Sequence, residues 1–397
     1  MQHPTAHRRR HVQVPPAAPS TPQHFTERGT VLCIPPGLFY NRDAAHARDL
    51  AVLAAVRQQR VRQAGRLHIL DAFTGAGVRA ARYQTQADAD VWSNDCSPAA
   101  VAAARANLPP GATVTQEDVC RLLLRCSLEN KLFDVLDLDA FGGDALPALP
   151  LALGCLRFGG TLHLCATDFI LGGGGGGGVL CDAFLHPGPC APENGLRALL
   201  GAVARAAAVR GMVIVPLFSL CPPGPSWRLA VRIERGVFRA SDALGFTLHC
   251  PGCGASSVLA WRALGCAGCA CGETQRVSGP LWLGPLHDEA ELSALLALAE
   301  ELGWADTLPE GSFAPPTRSL RALLQQLQGE CDRRLPPHYY HLEDLSRRGR
   351  AACTPPRDLL LAALRRRGFA AARCHCDARS VRTDASYCEL LDVCRTL

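Results

Sequence analysis

Short apolar segments alternate with alanine-rich stretches between about residue 66 and residue 235. The apolar segments have the length and composition of strands, whereas the stretches 99–107 and 196–210 have those of helices. The predicted strands cover residues 67–73, 91–94, 113–115, 133–138, 161–166, 212–218 and 228–233. This alternation predicts a Rossmann-like α/β fold with a doubly wound, mostly parallel sheet.

The fourth predicted strand ends in the sequence Asp139-Ala-Phe-Gly. Its apolar residues suit a strand that is covered on both faces, and open parallel sheets bind ligands just beyond the carboxyl ends of such strands. An aromatic ring can stack on a flat base there while a carboxylate accepts hydrogen bonds from the amino group of the base. We therefore expect Asp139 and Phe141 to act on an amino group.

A glycine-containing turn follows the first predicted strand in the sequence Asp71-Ala-Phe-Thr-Gly-Ala-Gly. Gly75 and Gly77 allow the backbone to approach a ligand closely, and the N-terminus of the following helix favours an anionic group. The segment GAGVRA also fits a relaxed dinucleotide-binding pattern, which leaves an NAD-dependent oxidoreductase as an alternative. Asp71 before the turn and the D-x-F-G ending of strand four favour S-adenosylmethionine instead.

Acidic residues also follow the second and third predicted strands. Asp95 ends the second strand, 24 residues beyond Asp71, where a carboxylate can bind both hydroxyl groups of a ribose. Glu117 and Asp118 follow the third strand, where they would meet the amino group of an adenine. These positions extend the predicted nucleoside site along the same edge of the sheet.

Two cysteine pairs lie in the C-terminal half of the chain. Cys250 and Cys253 are separated by two residues, as are Cys266 and Cys269, and twelve residues lie between the pairs. This spacing predicts a closed, structural zinc site with four thiolates, in which Cys271 could replace Cys269.

The composition of the chain indicates the redox state of its compartment and the class of its partner. The chain has 397 residues and 20 cysteines, and a cysteine content spread over so long a chain favours reduced thiols over a disulfide framework.

Lys131 is the one lysine among 41 basic residues. Residues 331–397 contain thirteen Arg against eight Asp and Glu, an excess of +5 that equals the net charge of the whole chain, and the run 365–367 is the densest part of it. A basic C-terminal face of this kind suggests a polyanion partner.

We predict three parts: a disordered or targeting segment over 1–26, a catalytic domain over 27–235, and a smaller α/β C-terminal domain over 236–397 with a zinc-ribbon-like element at 250–271. The first part has no acidic residue, which fits an organelle transit peptide or a weak nuclear signal, and an intracellular location. The longest apolar run is too short to span a membrane. Seven glycines at 172–178 read as a low-complexity insert.

Ordered motifs over most of the chain resemble one known family. They are Phe39-Tyr-Asn with Arg48-Asp49, LDAFTGAGVRAAR, NDCSPAA, DLDAFG, CATD, NGLRALL, the paired cysteines, GPLWLGPLHD and RTDAS. They occur in the order found in the tRNA guanine-26 N2-dimethyltransferases, and the similarity runs from about residue 27 to residue 386.

The resemblance implies an enzyme that uses S-adenosylmethionine to methylate tRNA. We also expect the protein to be a monomer and not to associate with a membrane. It implies that Asp139 is the catalytic acid and that Phe39 and Phe141 flank the guanine. The cofactor contacts implied by position are Arg48, Arg79, Asp95, Asp118 and Val119, the last where the family often has alanine.

Two departures from the family pattern leave other functions open. Ala140 stands where the family usually has proline after the catalytic aspartate, and the segment SWRLAVRI lacks a tyrosine that is common in the family. A catalytically weak or silent tRNA-binding paralogue would keep the basic face and the zinc site. An amino methyltransferase for another nucleic acid or a protein would keep the cofactor site and ignore tRNA.

Overall fold

The computed structural model describes residues 21–62, 65–140, 145–167, 178–221, 226–307 and 319–397. Its strands are β1 (Gln23–Glu27), β2 (Thr30–Ile34), β3 (His68–Asp71), β4 (Asp90–Asp95), β5 (Thr113–Gln116), β6 (Phe133–Asp139), β7 (Leu156–Thr167), β8 (Gly178–Leu180), β9 (Ala183–Leu185), β10 (Met212–Leu220), β11 (Ser226–Arg235), β12 (Leu244–His249), β13 (Ser256–Ala260), β14 (Arg276–Trp282), β15 (Tyr340–His341), β16 (Ala371–Arg373) and β17 (Ser380–Thr383).

The α-helices are α1 (Ala45–Val61), α2 (Val78–Gln86), α3 (Pro98–Asn107), α4 (Val119–Leu128), α5 (Ala145–Gly154), α6 (Ala191–Ala208), α7 (Ala240–Ala243), α8 (Glu289–Glu301), α9 (Leu320–Gly329), α10 (Leu342–Gly349), α11 (Arg357–Arg366) and α12 (Tyr387–Arg395). Short 3-10 helices cover Arg42–Ala44 and Trp261–Cys266. In the described part of the chain, no helix combines the length and the apolar character that crossing a membrane requires.

The largest sheet has seven strands in the order β10-β11-β7-β6-β3-β4-β5. Each of the seven predicted strand segments lies in it. Neighbours from β7 to β5 are parallel, and β11 runs antiparallel to both β7 and β10. The predicted Rossmann-like, mostly parallel sheet is confirmed, with its last strand reversed.

Helices cover both faces of this sheet. One core cluster packs α4, α5 and α6 against it, and a second cluster packs α1, α2 and α3 against the other face. The contact between α6 and β11 is especially close: a Cβ atom on Gly195 would lie 2.5 Å from the ring of Trp227. This contact explains the glycine in the NGLRALL motif, because a larger residue would push α6 off the sheet.

Contacts cross the predicted boundary at residue 236 in both directions. Leu292, Leu295 and Leu298 of α8 belong to the core cluster that also contains α1. In the other direction, β8 and β9 join a five-stranded sheet with the order β13-β12-β14-β9-β8. The limits 27–235 and 236–397 stay predictions, and the two parts share a core and a sheet.

The end of the chain forms a small α/β unit of its own, which we call the C-terminal unit (residues 339–397). Its three strands lie in the order β15-β17-β16. Its core contains Leu345, Leu364, Val381 and Leu390, contributed by its helices and its central strand.

The predicted disordered or targeting segment 1–26 extends too far. Gln23–Glu27 pairs with Thr30–Ile34 in a hairpin whose two turn residues, Arg28 and Gly29, both have positive φ. Glu27 is buried, because it forms ion pairs with arginines of α1 and α2. Residues 1–20 and the glycine run 172–178, apart from Gly178 in β8, lie outside the described residues, so the targeting role and the insert stay predictions.

Candidate active site

The carboxyl ends of three neighbouring strands bring acidic residues to one edge of the sheet. Asp71 ends β3, Asp95 ends β4 and Asp139 ends β6. Asp118 follows β5 at the same edge. The predicted convergence of these residues follows from the parallel arrangement of their strands.

The turn between β3 and α2 requires glycine at two positions. Gly75 and Gly77 have φ angles of +52° and +79°, in the left-handed region. A Cβ atom on Gly77 would lie 3.1 Å from Cα of Ala104, whereas one on Gly75 would project into open space. The carboxylate of Asp95 accepts hydrogen bonds from the backbone N–H groups of Gly75 and Ser97, both at 2.9 Å. Asp95 therefore holds the turn, and its predicted ribose contact stays a prediction.

Three carboxyl groups and two guanidiniums form a compact cluster under this edge. Arg79 of α2 donates from Nη1 to Asp137 at 2.6 Å and forms an ion pair through Nη2 with Asp139 at 2.6 Å. Arg228 of β11 donates to the other oxygen of Asp139 at 2.8 Å. Asp71 lies beside them, where its carboxyl group accepts a hydrogen bond from the hydroxyl of Thr74.

The acids of this cluster differ in charge state. Burial alone would raise the pKa of Asp139, but the guanidiniums of Arg79 and Arg228 outweigh it and hold the pKa well below its usual range. Burial and the neighbouring carboxylate of Asp137 raise the pKa of Asp71 to about 8. Two guanidiniums thus neutralise two carboxylates, and the third carboxyl group stays protonated near neutral pH.

Arg228 is a site residue that sequence reasoning missed. It pairs in register with Cys165 of β7, which in turn lies opposite Asp139 of β6, so the three residues form one row across the sheet. The signal was present as a charged residue, one of two arginines in the mostly apolar segment SWRLAVRI. Its partner could not be read locally, because Asp139 lies 89 positions away along the chain.

Arg48, predicted as a cofactor contact, lies buried in a different network. Its guanidinium donates to both carboxylate oxygens of Glu27, to the backbone oxygen of Asn41 at 2.8 Å and to the hydroxyl of Tyr40 at 3.0 Å. These bonds fix the segment that carries Phe39, which is 64% exposed. The arrangement gives Arg48 a positioning role for Phe39, and its cofactor contact stays a prediction.

Asp118 and Val119, which follow β5, both have structural roles in the described geometry. Asp118 is exposed and caps α4 by accepting a hydrogen bond from the N–H of Arg121 at 3.0 Å. Val119 begins that helix and is buried in the core. Their predicted adenine contacts stay predictions. Phe141 falls within residues 141–144, outside the described residues, so its stacking role is also untested.

Four thiols meet at the end of β12. Cys250 and Cys271 lie 3.4 Å apart between sulfur atoms, as do Cys253 and Cys269. All four sulfur atoms lie within 4.8 Å of one another, close to the spacing of about 3.8 Å that tetrahedral zinc–thiolate bonds of about 2.3 Å require. The N–H of Cys253 and the neighbouring thiols outweigh the effect of burial and lower the pKa of Cys250 to about 6, which favours a thiolate there.

This set contains three of the four predicted ligands and adds Cys271, and the part of Cys266 stays a prediction. The structure brings Cys271 into the group, whereas Cys266 ends the short helix Trp261–Cys266 and its side chain lies outside the described side chains. Cys271 therefore joins Cys269 instead of replacing it. The regular two-residue spacing concealed this, because Cys269 and Cys271 are separated by one residue and approach the site from a turn closed by the hydrogen bond from the N–H of Gly272 to Cys269.

The elevated pKa of Asp71 predicts a pH effect on stability. Folded Asp71 keeps its proton up to about pH 8, whereas the unfolded chain releases it near 3.8, so wild-type stability decreases as pH rises between these values. The variant Asp71→Asn lacks this loss of stability, because an asparagine side chain has no proton to release in this pH range. We expect the variant to gain stability relative to wild type by at most about 1.4 kcal/mol per pH unit. Urea unfolding of both proteins from pH 5 to pH 9 measures the difference, and parallel stability curves would contradict the protonated state.

Comparison with known proteins assigns the chain to a family. Residues 22–395 match the family described as N2,N2-dimethylguanosine tRNA methyltransferase. The chain is 31% identical over 372 residues to the tRNA (guanine(26)-N(2))-dimethyltransferase of Aeropyrum pernix, covering 89% of this chain and 88% of that protein. It is 33% identical over 378 residues to the enzyme of the same name from Methanoregula boonei, covering 91% and 92%.

The fold agrees with that of a solved structure. The chain is similar to Trm1 from Pyrococcus horikoshii, whose structure is a complex with S-adenosyl-L-methionine, with a TM-score of 0.74 and 24% identity over 94% of this chain and 99% of that one. The likeness covers nearly the whole of both chains. With the sequence match over almost its whole length, the chain belongs to the N2,N2-dimethylguanosine tRNA methyltransferase family.

Proposed function

We propose that the protein is an enzyme that transfers methyl groups from S-adenosylmethionine to the exocyclic N2 amine of guanine-26 in tRNA, adding one methyl group and then a second. The observation that carries this proposal is the carboxylate of Asp139. Its side chain is 22% exposed at the ligand-binding edge of the sheet, while Asp71 and Asp137 are buried beneath it. Family membership supports the identity of the substrate.

The glycine turn fits the cofactor. The space in front of Gly75 is open, and in the described part of the chain no side chain caps the N-terminus of α2. Free N–H groups at a helix N-terminus attract a carboxylate such as that of the methionine moiety. When bound, S-adenosylmethionine supplies an electrophilic methyl group. Asp95 and Asp118 are the residues of this chain that would hold the nucleoside part.

Asp139 activates the amine and removes its proton. The lone pair of the guanine amine is delocalised into the ring, and a hydrogen bond from the amine to the carboxylate returns electron density to the nitrogen. As the nitrogen–carbon bond forms and the bond from that carbon to sulfur breaks, the nitrogen becomes cationic and strongly acidic, so a carboxylate with a lowered pKa still accepts the proton. The amine has two hydrogen atoms, so the same carboxylate can act in each of two transfers.

Arg79 and Arg228 fix the carboxylate in position. Arg79 forms an ion pair with one oxygen of Asp139 and Arg228 donates a hydrogen bond to the other, which restricts rotation of the carboxylate plane. The carboxylate keeps at least one lone pair for the substrate amine. Holding the amine in line with the methyl group accounts for much of the expected acceleration.

The substrate has to be rotated out of the tRNA stack before it reaches Asp139. Phe39 offers an exposed ring on a segment that Arg48 holds in place, and Phe141 is predicted to stack on the other face of the base. The C-terminal unit would hold the phosphate backbone by charge and shape. Arg366 and Arg367 are exposed there.

The four thiols of Cys250, Cys253, Cys269 and Cys271 would bind a structural zinc ion. With four protein ligands no position remains for a water or substrate, so this zinc has no part in the reaction. The element contacts the C-terminal unit directly, because the hydroxyl of Tyr387 donates to the backbone oxygen of Cys253 at 3.0 Å. Zinc would thus stabilise the surface that meets tRNA.

Two observations favour the alternative of a slow or silent tRNA-binding paralogue. Asp139 forms two ion pairs, which reduce its strength as a base, and it is followed by Ala140 in place of the family's proline. Such a protein would bind tRNA with little methyl transfer. A quantitative assay with wild-type enzyme separates the two functions.

Replacing the catalytic carboxylate should abolish methyl transfer. We expect Asp139→Asn to lower kcat by about 100-fold or more while S-adenosylhomocysteine still binds, since the cofactor rests on the glycine turn and Asp95. Mass spectrometry of nucleosides from tRNA incubated with the enzyme measures the product.

Asp134→Asn is the matched control for that experiment. Asp134 lies on the same strand β6 and has two arginine partners, Arg62 at 2.6 Å and Arg157 at 2.7 Å, but it sits at the opposite end of the strand. Both variants lose a carboxylate that neutralises two arginines, and only Asp139→Asn should lose activity. Activity near wild type in Asp139→Asn would refute the proposed mechanism.

Removing a thiol of the four-cysteine site should release zinc. Cys250→Ser is expected to lower bound zinc by about one ion per chain and to lower the melting temperature, because zinc binding is coupled to folding. The variant should keep its affinity for S-adenosylhomocysteine. Metal analysis gives the zinc content, and an unchanged zinc content in Cys250→Ser would refute the assignment of zinc to the four-cysteine site.

The tRNA contact is tested by charge reversal in the arginine run. Arg365 donates to the backbone oxygen of Ala371 at 2.7 Å and is kept, so the variant changes only Arg366 and Arg367 to Glu. Each lost phosphate contact should reduce the slope of log affinity against log salt by about one unit or slightly less.

The exposed Arg239 outside the C-terminal unit supplies the control Arg239→Glu, which should leave the slope unchanged. In a parallel experiment, tRNA with adenine at position 26 should bind normally and remain unmethylated. A double variant with the wild-type salt slope would show that these arginines face solvent without contacting tRNA.

A further inference from the structure

A second group of side chains, most of them of types that can ligate metals, lies at least half-buried where the C-terminal unit meets the rest of the molecule. Its members come from five separate regions of the sequence and none belongs to the four-cysteine site. We call it the junction cluster, and it consists of Glu193, Cys221, His287, Glu330, Cys374, His375, Cys376 and Arg382.

We propose that the thiols of Cys221, Cys374 and Cys376 and the Nε2 atom of His375 bind a second divalent cation of the zinc class. Three sulfur ligands and one imidazole form a common closed set for structural zinc. The site is independent of the proposed reaction.

His375 is oriented as a metal ligand. Its Nδ1 atom lies 3.0 Å and 3.1 Å from the two carboxylate oxygens of Glu330, and its backbone N–H donates to the same carboxylate at 2.6 Å. This carboxylate fixes the proton on Nδ1 and leaves the lone pair on Nε2, the arrangement typical of zinc-bound histidine. Nε2 points towards the thiol of Cys376 at 3.4 Å, so the nitrogen and the sulfur already share one side of the ring.

Two of the three thiols are close to each other, and the third lies beside them. The sulfur atoms of Cys374 and Cys376 lie within 4.8 Å of each other, and Cys221 neighbours Cys376. Cys374 and Cys376 alternate with His375 directly after β16, and Cys221 directly follows β10. Cys374 is buried, and the side chain of His375 is only 4% exposed. A thiophilic ion at this position would be enclosed on most sides.

The two carboxylates of the cluster are already occupied. Glu193 accepts hydrogen bonds from Arg197 at 2.8 Å and from both terminal nitrogens of Arg382. Glu330 holds His375 and also lies 3.4 Å from a nitrogen of Arg382. Because two guanidiniums balance the two carboxylates, the charge of a bound cation has to be neutralised by thiolates. The charge balance therefore selects sulfur over carboxylate as the ligand type.

His287 supports the site without binding the ion. Its Nδ1 atom accepts a hydrogen bond from the backbone N–H of Ser219 at 3.2 Å, so a neutral ring carries its proton on Nε2. That N–H is buried, and among the described residues it has no hydrogen-bond partner. A metal-bound thiolate is the acceptor that this donor lacks, since thiolates keep lone pairs after binding zinc. The ring of His287 lies 5.3 Å from that of His375, centroid to centroid.

Metal stoichiometry tests the proposal. Protein purified with reductant and without chelator should contain about two zinc ions per chain, one in each closed site. Cys374→Ser and Cys376→Ser should each lower the content to about one, as should Cys250→Ser, and Cys250→Ser combined with Cys376→Ser should leave about none. Cys388→Ser, which changes an exposed cysteine of the same C-terminal unit, is the matched control and should keep both ions.

The wild-type measurement does not depend on the folding of any variant. Cobalt substitution gives a second readout, because three thiolates and one imidazole produce an absorption spectrum distinct from that of four thiolates. A wild-type protein with about one ion that Cys250→Ser removes would overturn the second site while supporting the first. A disulfide between cysteines of the junction cluster in reductant-purified, unboiled protein would overturn it as well.

Discussion

Arg79 is the cation on which the active-site edge of the sheet depends. Strands β3 and β6 are neighbours in register, with Asp71 opposite Asp137, and Asp139 follows two residues later on the same strand. Buried carboxylates this close require opposite charge or protonation. Arg79 contacts both Asp137 and Asp139, Arg228 supplies the second cation, and Asp71 stays protonated. The position of the Asp139 carboxylate is therefore tied to helix α2, which begins at the glycine turn.

The same helix connects the site to the start of the chain. Arg82 lies three residues after Arg79 and binds Glu27 of the hairpin and Asp49 of α1, at 3.2 Å and 2.7 Å. Tyr83, four residues after Arg79, donates to Asp137 on the sheet side. Guanidiniums serve here because a planar fork can bind two carboxylates at once, which an ammonium group does less well. In a chain with one lysine, the buried arginines of α2 connect that helix to the main sheet, to the N-terminal hairpin and to α1.

Local patterns explain what could be predicted from the sequence. The seven strands of the main sheet, the glycine turn and the acids at strand ends all follow from periodicity and composition within short segments. The partner of a buried charge is not local: Arg228 meets Asp139 only because β11 is inserted next to β7 in the reverse direction. The contribution of Cys271 and the burial of Glu27 also depend on chain segments brought together by folding. The sequence therefore located the candidate active-site edge and named Arg79 as a cofactor contact, but it missed Arg228 and the pairing of both arginines with the acids of this edge.

The C-terminal unit is held at two points, and both involve cysteines. Its core is small, and a unit of about 60 residues has limited stability of its own. Arg348 and Tyr387 donate hydrogen bonds to backbone oxygens of residues 252 and 253, beside the four-cysteine site. Arg382 binds Glu193 in the first turn of α6. In the proposed function this unit carries the surface that meets tRNA, and small displacements at the reacting amine reduce the rate strongly. Fixed attachment at these two points, one close to each cysteine group, would keep that surface in a constant position relative to Asp139.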